Sequence, residues 1–115
     1  MKLDEHRRAL VNVMSEKELQ KLVQDLADMM GWRWYHPNLS MRDRAGFPDL
    51  TLVRPPEFFM VELKSEKGRI RPDQKKWIAD LQASGVEVHI WRPSDWYTGD
   101  IEQRLTHSDR RGEHD

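Results

Sequence analysis

The sequence predicts a mixed α/β (α+β) domain, a central mixed sheet flanked by helices in the order α-β-β-β-α-β-α. Three observations carry this. An amphipathic helical pattern covers 15–30, three short strand-like runs follow in succession between Trp32 and Lys64, and a second helical segment opened by Pro72 leads into another apolar run, 86–91. The 115 residues fit one compact domain, with little room for a second.

In the first helix Leu19, Leu22, Val23, Leu26 and Met30 recur at spacings of three and four, which aligns them in one apolar stripe. Ser15 followed by Glu18 is a capping-box pattern, and Gly31 closes the helix. Ahead of it, residues 1–14 are expected to form an arm or a short helix. Trp32–His36 is an aromatic-rich strand ended by Pro37, and the polar stretch Asn38–Phe47 is a loop.

Asp49–Arg54 is the second strand, and Pro55-Pro56 marks the turn to a third, Glu57–Lys64. That third strand is apolar on both faces, as a central strand should be. Pro72 suits the first turn of a helix that runs to about Ser84, with Trp77, Ile78 and Leu81 inward and Gly85 as its stop. A fourth strand over Val86–Trp91 and one short last helix, stapled by Trp96, complete the domain at 106. Residues 107–115 lack apolar periodicity and are expected to fray as a tail.

Composition excludes several classes. The absence of cysteine rules out a disulfide framework and a thiolate-held zinc, and the five histidines show no ligand spacing. No apolar run approaches the ~18 residues of a membrane span, and no signal-peptide pattern opens the chain, so a soluble, cytoplasmic protein is expected. The 19 basic and 20 acidic residues nearly balance, which argues against coating nucleic acid by bulk attraction. One local excess stands out: Lys64, Lys67, Arg69, Arg71, Lys75 and Lys76 face only Glu66 and Asp73 between 64 and 76. Such a patch is either a solvated face or a phosphate-binding surface.

The chemistry concentrates on the third strand. Residues two apart share a strand face, so Glu62 and Lys64 point the same way at the end of an otherwise apolar strand. Burying either is costly unless it is paired or bound to something. If the second and third strands form a hairpin through Pro55-Pro56, Asp49 comes back to that same end. Two hard carboxylates suit Mg²⁺ or Mn²⁺, with the Leu63 carbonyl as a possible further oxygen ligand. With a lysine to orient water or stabilise developing charge, these are the parts that phosphodiester hydrolysis needs. The alternative is a structural salt bridge at a strand end.

Gly46-Phe47-Pro48-Asp49 followed by Glu62-Leu63-Lys64 resembles the PD-(D/E)XK nuclease signature. With Lys67-Gly68 and Gln74 after it, the pattern is similar to the VRR-NUC branch, including its small stand-alone phage and bacterial members. The resemblance spans about Ser15 to Trp96, inside an expected nuclease domain of 15–106. It implies a restriction-endonuclease-like fold, with Asp49 and Glu62 as metal ligands, Lys64 as the catalytic lysine and Gln74 as an active-site residue. It also implies a glutamate early in the first helix. Glu16 and Glu18 are both candidates, and Glu16 is preferred because Glu18 serves the capping box.

Arg42, Arg44, Lys67, Arg69, Arg71 and Lys75 flank the motif as candidate DNA-phosphate contacts. His36 is a candidate for DNA contact or catalysis, or simply a packing residue. The expected activity is a Mg²⁺- or Mn²⁺-dependent DNA endonuclease leaving 5′-phosphate and 3′-hydroxyl ends. The stand-alone members resemble Holliday-junction resolvases, which implies a homodimer on branched DNA. Flap, duplex or restriction-like cleavage, or an idle DNA-binding module of the same fold, are the alternatives.

Overall fold

The structure is a computed structural model that describes residues 2–37 and 45–107, with side chains from Asp4 onward. Among these residues nine elements follow one another: α1 (Lys2–Val13), α2 (Glu16–Met29), β1 (Arg33–Tyr35), β2 (Leu50–Arg54), β3 (Glu57–Leu63), α3 (Pro72–Ala83), β4 (Val88–Trp91), α4 (Pro93–Tyr97) and α5 (Asp100–Thr106). The four strands form one sheet in the order β1-β2-β3-β4. β1–β2 and β2–β3 pair antiparallel and β4 is parallel to β3, so the sheet is mixed, as the sequence predicts.

β3 organises both layers because its side chains alternate between two packed faces. Phe59, Val61 and Leu63 enter the main core, where they meet Leu19, Val23 and Ala27 of α2 and Ile101 and Leu105 of α5. Met60, on the opposite face, joins Ile78 and Val88 in a smaller core under α3, with Leu81 packed against it. Glu62 and Lys64 continue the Met60 row, so they emerge on the α3 side of the sheet.

The Ser15–Glu18 capping box forms reciprocally, at 3.0 Å and 2.8 Å, and fixes the start of α2. The helix is rotated slightly from the expected stripe: Leu19, Val23 and Ala27 are fully buried, whereas Leu22, Leu26 and Met30 are only half-buried. The small Ala27 lets the helix lie close to the sheet, and the larger residues flank that line. Glu16 begins the ridge that runs on through Leu19 and Val23.

Of the two alternatives for the N-terminal segment, the helix is the one that forms: residues 2–13 are helical and pack on α4. One element differs from expectation. The expected single last helix is two, because Gly99 adopts φ +89°, a left-handed conformation that ends one helix and caps the next. At the start of β3, buried Glu57 is 2.8 Å from Arg104, whose guanidinium also contacts Glu87 and lies 4.3 Å over the Phe59 ring. That end of the strand carries a satisfied ionic cluster. The other end does not.

Candidate active site

In the β2–β3 ladder Leu50 pairs with Val61, so one step outward Asp49 comes level with Glu62. The approach to Asp49 is set by the segment before it. Gly46 has φ +92°, and a Cβ there would lie 2.7 Å from the Asp73 carbonyl group and 2.9 Å from the Gln74 nitrogen. Only glycine fits this close approach to the first turn of α3. Pro48 is fully buried behind it. Gly46→Ala is therefore expected to lower stability by about 2 kcal/mol or more and to cut activity by displacing Asp49 from α3. Urea unfolding beside a cleavage assay measures both effects.

Asp49 is held at two points. Its Oδ2 accepts the Leu63 N–H at 2.7 Å, and its main-chain carbonyl accepts from His36 Nδ1 at 2.8 Å. A carbonyl only accepts, so this bond assigns the imidazole proton to Nδ1. The Leu63 side chain itself is buried in the main core, away from the cavity.

Glu62 is 1 % exposed. Its Oε2 accepts from Gln74 Nε2 at 2.7 Å, and Lys64 Nζ stands 3.9 Å from the same oxygen. Its Oε1 is fully buried and, among the described residues, has no hydrogen-bond partner. Burial, followed by the neighbouring Asp49 carboxylate, pushes the Glu62 carboxyl up to about 8; Lys64 opposes this and Glu16 adds to it. Gln74 is fixed at both ends, since its Oε1 accepts the Arg71 N–H at 2.9 Å.

These groups line one cavity of about 690 Å³ between the N-termini of α2 and α3, with Glu62 and Lys64 at its floor. Glu16 reaches it as the first residue of α2, whereas Glu18 is spent on the cap. Arg71 lies at the rim, its Nε 3.2 Å from Asp73. Lys67, Arg69 and Lys75 are exposed outside the cavity, so the structure spreads the basic run along one loop and the first turn of α3. Arg42 and Arg44 lie outside the described residues.

The arrangement fits a divalent cation by its donor chemistry. A buried carboxylate beside a second one, with one ammonium at 3.9 Å among the described residues, keeps an excess of negative charge that a cation would offset. Among the described residues no three acidic or histidine side chains gather tightly enough to enclose a metal. A two-carboxylate site of this kind suits a hard cation that keeps several waters, as Mg²⁺ does.

The raised Glu62 pKa gives a pH prediction. A carboxyl whose folded pKa lies above its ordinary value of 4.5 binds more protons folded than unfolded, so its contribution to stability falls as pH rises. With chelator present, the stability that neutral Glu62 lends is full below about pH 4.5 and is lost on rising through about pH 8. The expected loss is on the order of a few kcal/mol, flattened in Glu62→Gln. Melting curves between pH 5 and 9 test it.

Several residues around the site carry no sequence signal. Arg92, just after β4, donates from Nη1 to the carbonyls of Ser65, Glu66 and Gly68 at 2.8–3.1 Å. Glu66 in turn accepts the Ser94 N–H at 3.0 Å. Together they pin the Lys67-Gly68 loop that leaves β3. Tyr35, Phe47 and Trp77 wall the cavity, although Trp77 is predicted to face the core. An isolated arginine after a strand, or an aromatic on a helix, offers nothing in sequence that points to these contacts.

A mixed sheet with paired carboxylates and a lysine at the end of its central hairpin defines a restriction-endonuclease-like domain. The chain belongs to the VRR-NUC family, a family of nucleases: the profile of the VRR-NUC domain matches residues 1–95. No curated protein and no solved structure matches it significantly. The family match takes in α1 as well as the motif-bearing strands.

Proposed function

We propose that the chain is a Mg²⁺- or Mn²⁺-dependent DNA endonuclease whose centre is Asp49, Glu62 and Lys64. The observation that carries the reading is Glu62, buried beside Asp49 with one oxygen that has no partner among the described residues. The satisfied Arg104–Glu57 cluster at the other end of β3 is what a purely structural ion pair looks like in this fold.

Asp49 and Glu62 would hold the cation, with the Leu63 carbonyl as a further oxygen ligand. When bound it would supply Lewis-acid polarisation of the phosphate and ease deprotonation of water. Lys64 orients the attacking water and donates to the negative charge that builds on the phosphate. Gln74, fixed from both sides, keeps the Glu62 carboxylate turned toward Asp49. Glu16 adds a carboxylate from the helix start. A bond forms from water oxygen to phosphorus and the bond to the 3′ oxygen breaks, leaving a 5′-phosphate and a 3′-hydroxyl.

Arg71 at the rim and Lys67, Arg69 and Lys75 beyond it would position the phosphate backbone, which makes binding salt-sensitive. The small size of the domain favours a homodimer that presents two centres to branched DNA in the cytoplasm. Among the described residues no helix is long and apolar enough to cross a membrane.

The test is cleavage of end-labelled four-way junction, flap and linear duplex DNA with Mg²⁺, Mn²⁺ or EDTA. Preferential cutting of the junction into ligatable halves is expected, with sedimentation showing a dimer. Faster cutting of flap or linear DNA would replace the resolvase-like reading. DNA binding without cutting of any substrate would leave an idle binding module.

A further inference from the structure

We propose that the mouth of the cavity binds an unpaired nucleobase, so that the DNA cut here carries an unstacked base beside the scissile phosphate. The inference rests on the nuclease reading above and adds a substrate class to it. Three aromatic side chains from three separate elements form the cavity wall: Tyr35 of β1, Phe47 ahead of β2 and Trp77 of α3. None of them serves the main core, where Trp32, Phe59 and Trp91 do that work. Tyr35 is 63 % exposed and Phe47 36 % exposed.

Phe47 and Trp77 meet edge to face, with centroids 5.0 Å apart at 84°. Their contact is explained by docking the Gly46 segment on α3. Tyr35 has no such explanation: among the described residues it has no ring partner, yet it stands at the wall of the cavity that holds Glu62 and Lys64. An aromatic wall with the exposed Tyr35 ring beside charged groups matches the two halves of a nucleotide, a base with a π face and a phosphate. Lys64 and Arg71 line the same space for the phosphate.

The cavity volume of about 690 Å³ lies within the ~300–1,000 Å³ of pockets that enclose small ligands. Bases inside a duplex are stacked and offer only their edges in the grooves. An unpaired base can lie on an aromatic ring, and it does so with little regard to sequence because every base has a π face.

The experiment compares anisotropy-detected binding, in EDTA, of a blunt duplex and of the same duplex carrying a short unpaired segment. The full chain is used, with Tyr35→Ala and Tyr35→Phe, and cleavage of both DNAs in Mg²⁺ and Mn²⁺ is followed in parallel. Wild type and Tyr35→Phe are expected to favour the partly unpaired DNA by roughly tenfold. Tyr35→Ala, or an abasic residue at one unpaired position, should erase that margin and leave blunt-duplex affinity unchanged. Equal affinity of wild type for the two DNAs, or a margin that survives in Tyr35→Ala, would overturn the proposal. Cleavage without the margin defeats the base subsite and leaves the nuclease reading standing. The margin without cleavage of either DNA does the reverse.

Discussion

Glu62→Gln is expected to abolish DNA cleavage, by roughly a thousandfold or more, while leaving the fold intact or more stable. The amide keeps the shape of the side chain and can still accept from Gln74 Nε2 through its own oxygen. It removes the buried negative charge that Asp49 and Glu16 oppose, so above pH 8 in chelator the variant should melt higher than wild type. It also loses one of the two hard oxygens that a divalent cation needs. Initial cleavage rates in Mg²⁺ beside melting curves in EDTA separate the two effects. A variant that melts lower yet cuts normally would mean that Glu62 serves the sheet and not the chemistry.

Lys64→Met is expected to lower the cleavage rate by about 10²–10³-fold with little change in melting temperature. Methionine retains most of the aliphatic stem, which is buried to 6 % exposure, and deletes only the Nζ. Among the described residues the ammonium makes one long ion pair, 3.9 Å to Glu62, so the folded state gains little from it. Its value is to the charge that develops on the phosphate. The converse pattern, a large stability loss with the rate preserved, would assign Lys64 to a structural salt bridge.

Much of this site was legible because its parts depend on local rules. Strand alternation puts Glu62 and Lys64 on one face, and the hairpin through Pro55-Pro56 brings Asp49 level with Glu62. The capping box identifies the start of α2 and removes Glu18 from contention, leaving Glu16, which does line the cavity. The helix opening at Pro72 places Gln74 one turn in, on the buried side.

What was not legible depends on contacts distant in sequence. That Glu62 Oε1 has no partner among the described residues follows from how α3 and β2 enclose the carboxylate, which no spacing rule encodes. The Arg92 clamp joins residues separated by 24 to 27 positions. Trp77 fits an inward pattern on its helix, but Phe47 from another segment meets it at the cavity wall. The split between α4 and α5 turns on one residue, Gly99, whose left-handed conformation appears only in the folded chain.

The most direct test of the central claim is cleavage of end-labelled DNA by the wild-type chain in Mg²⁺, against EDTA and against Asp49→Ala. Cutting that needs the cation and vanishes in a folded Asp49→Ala is the predicted result. Cutting that persists in EDTA, or in Asp49→Ala, would contradict a centre built on the Asp49–Glu62 pair.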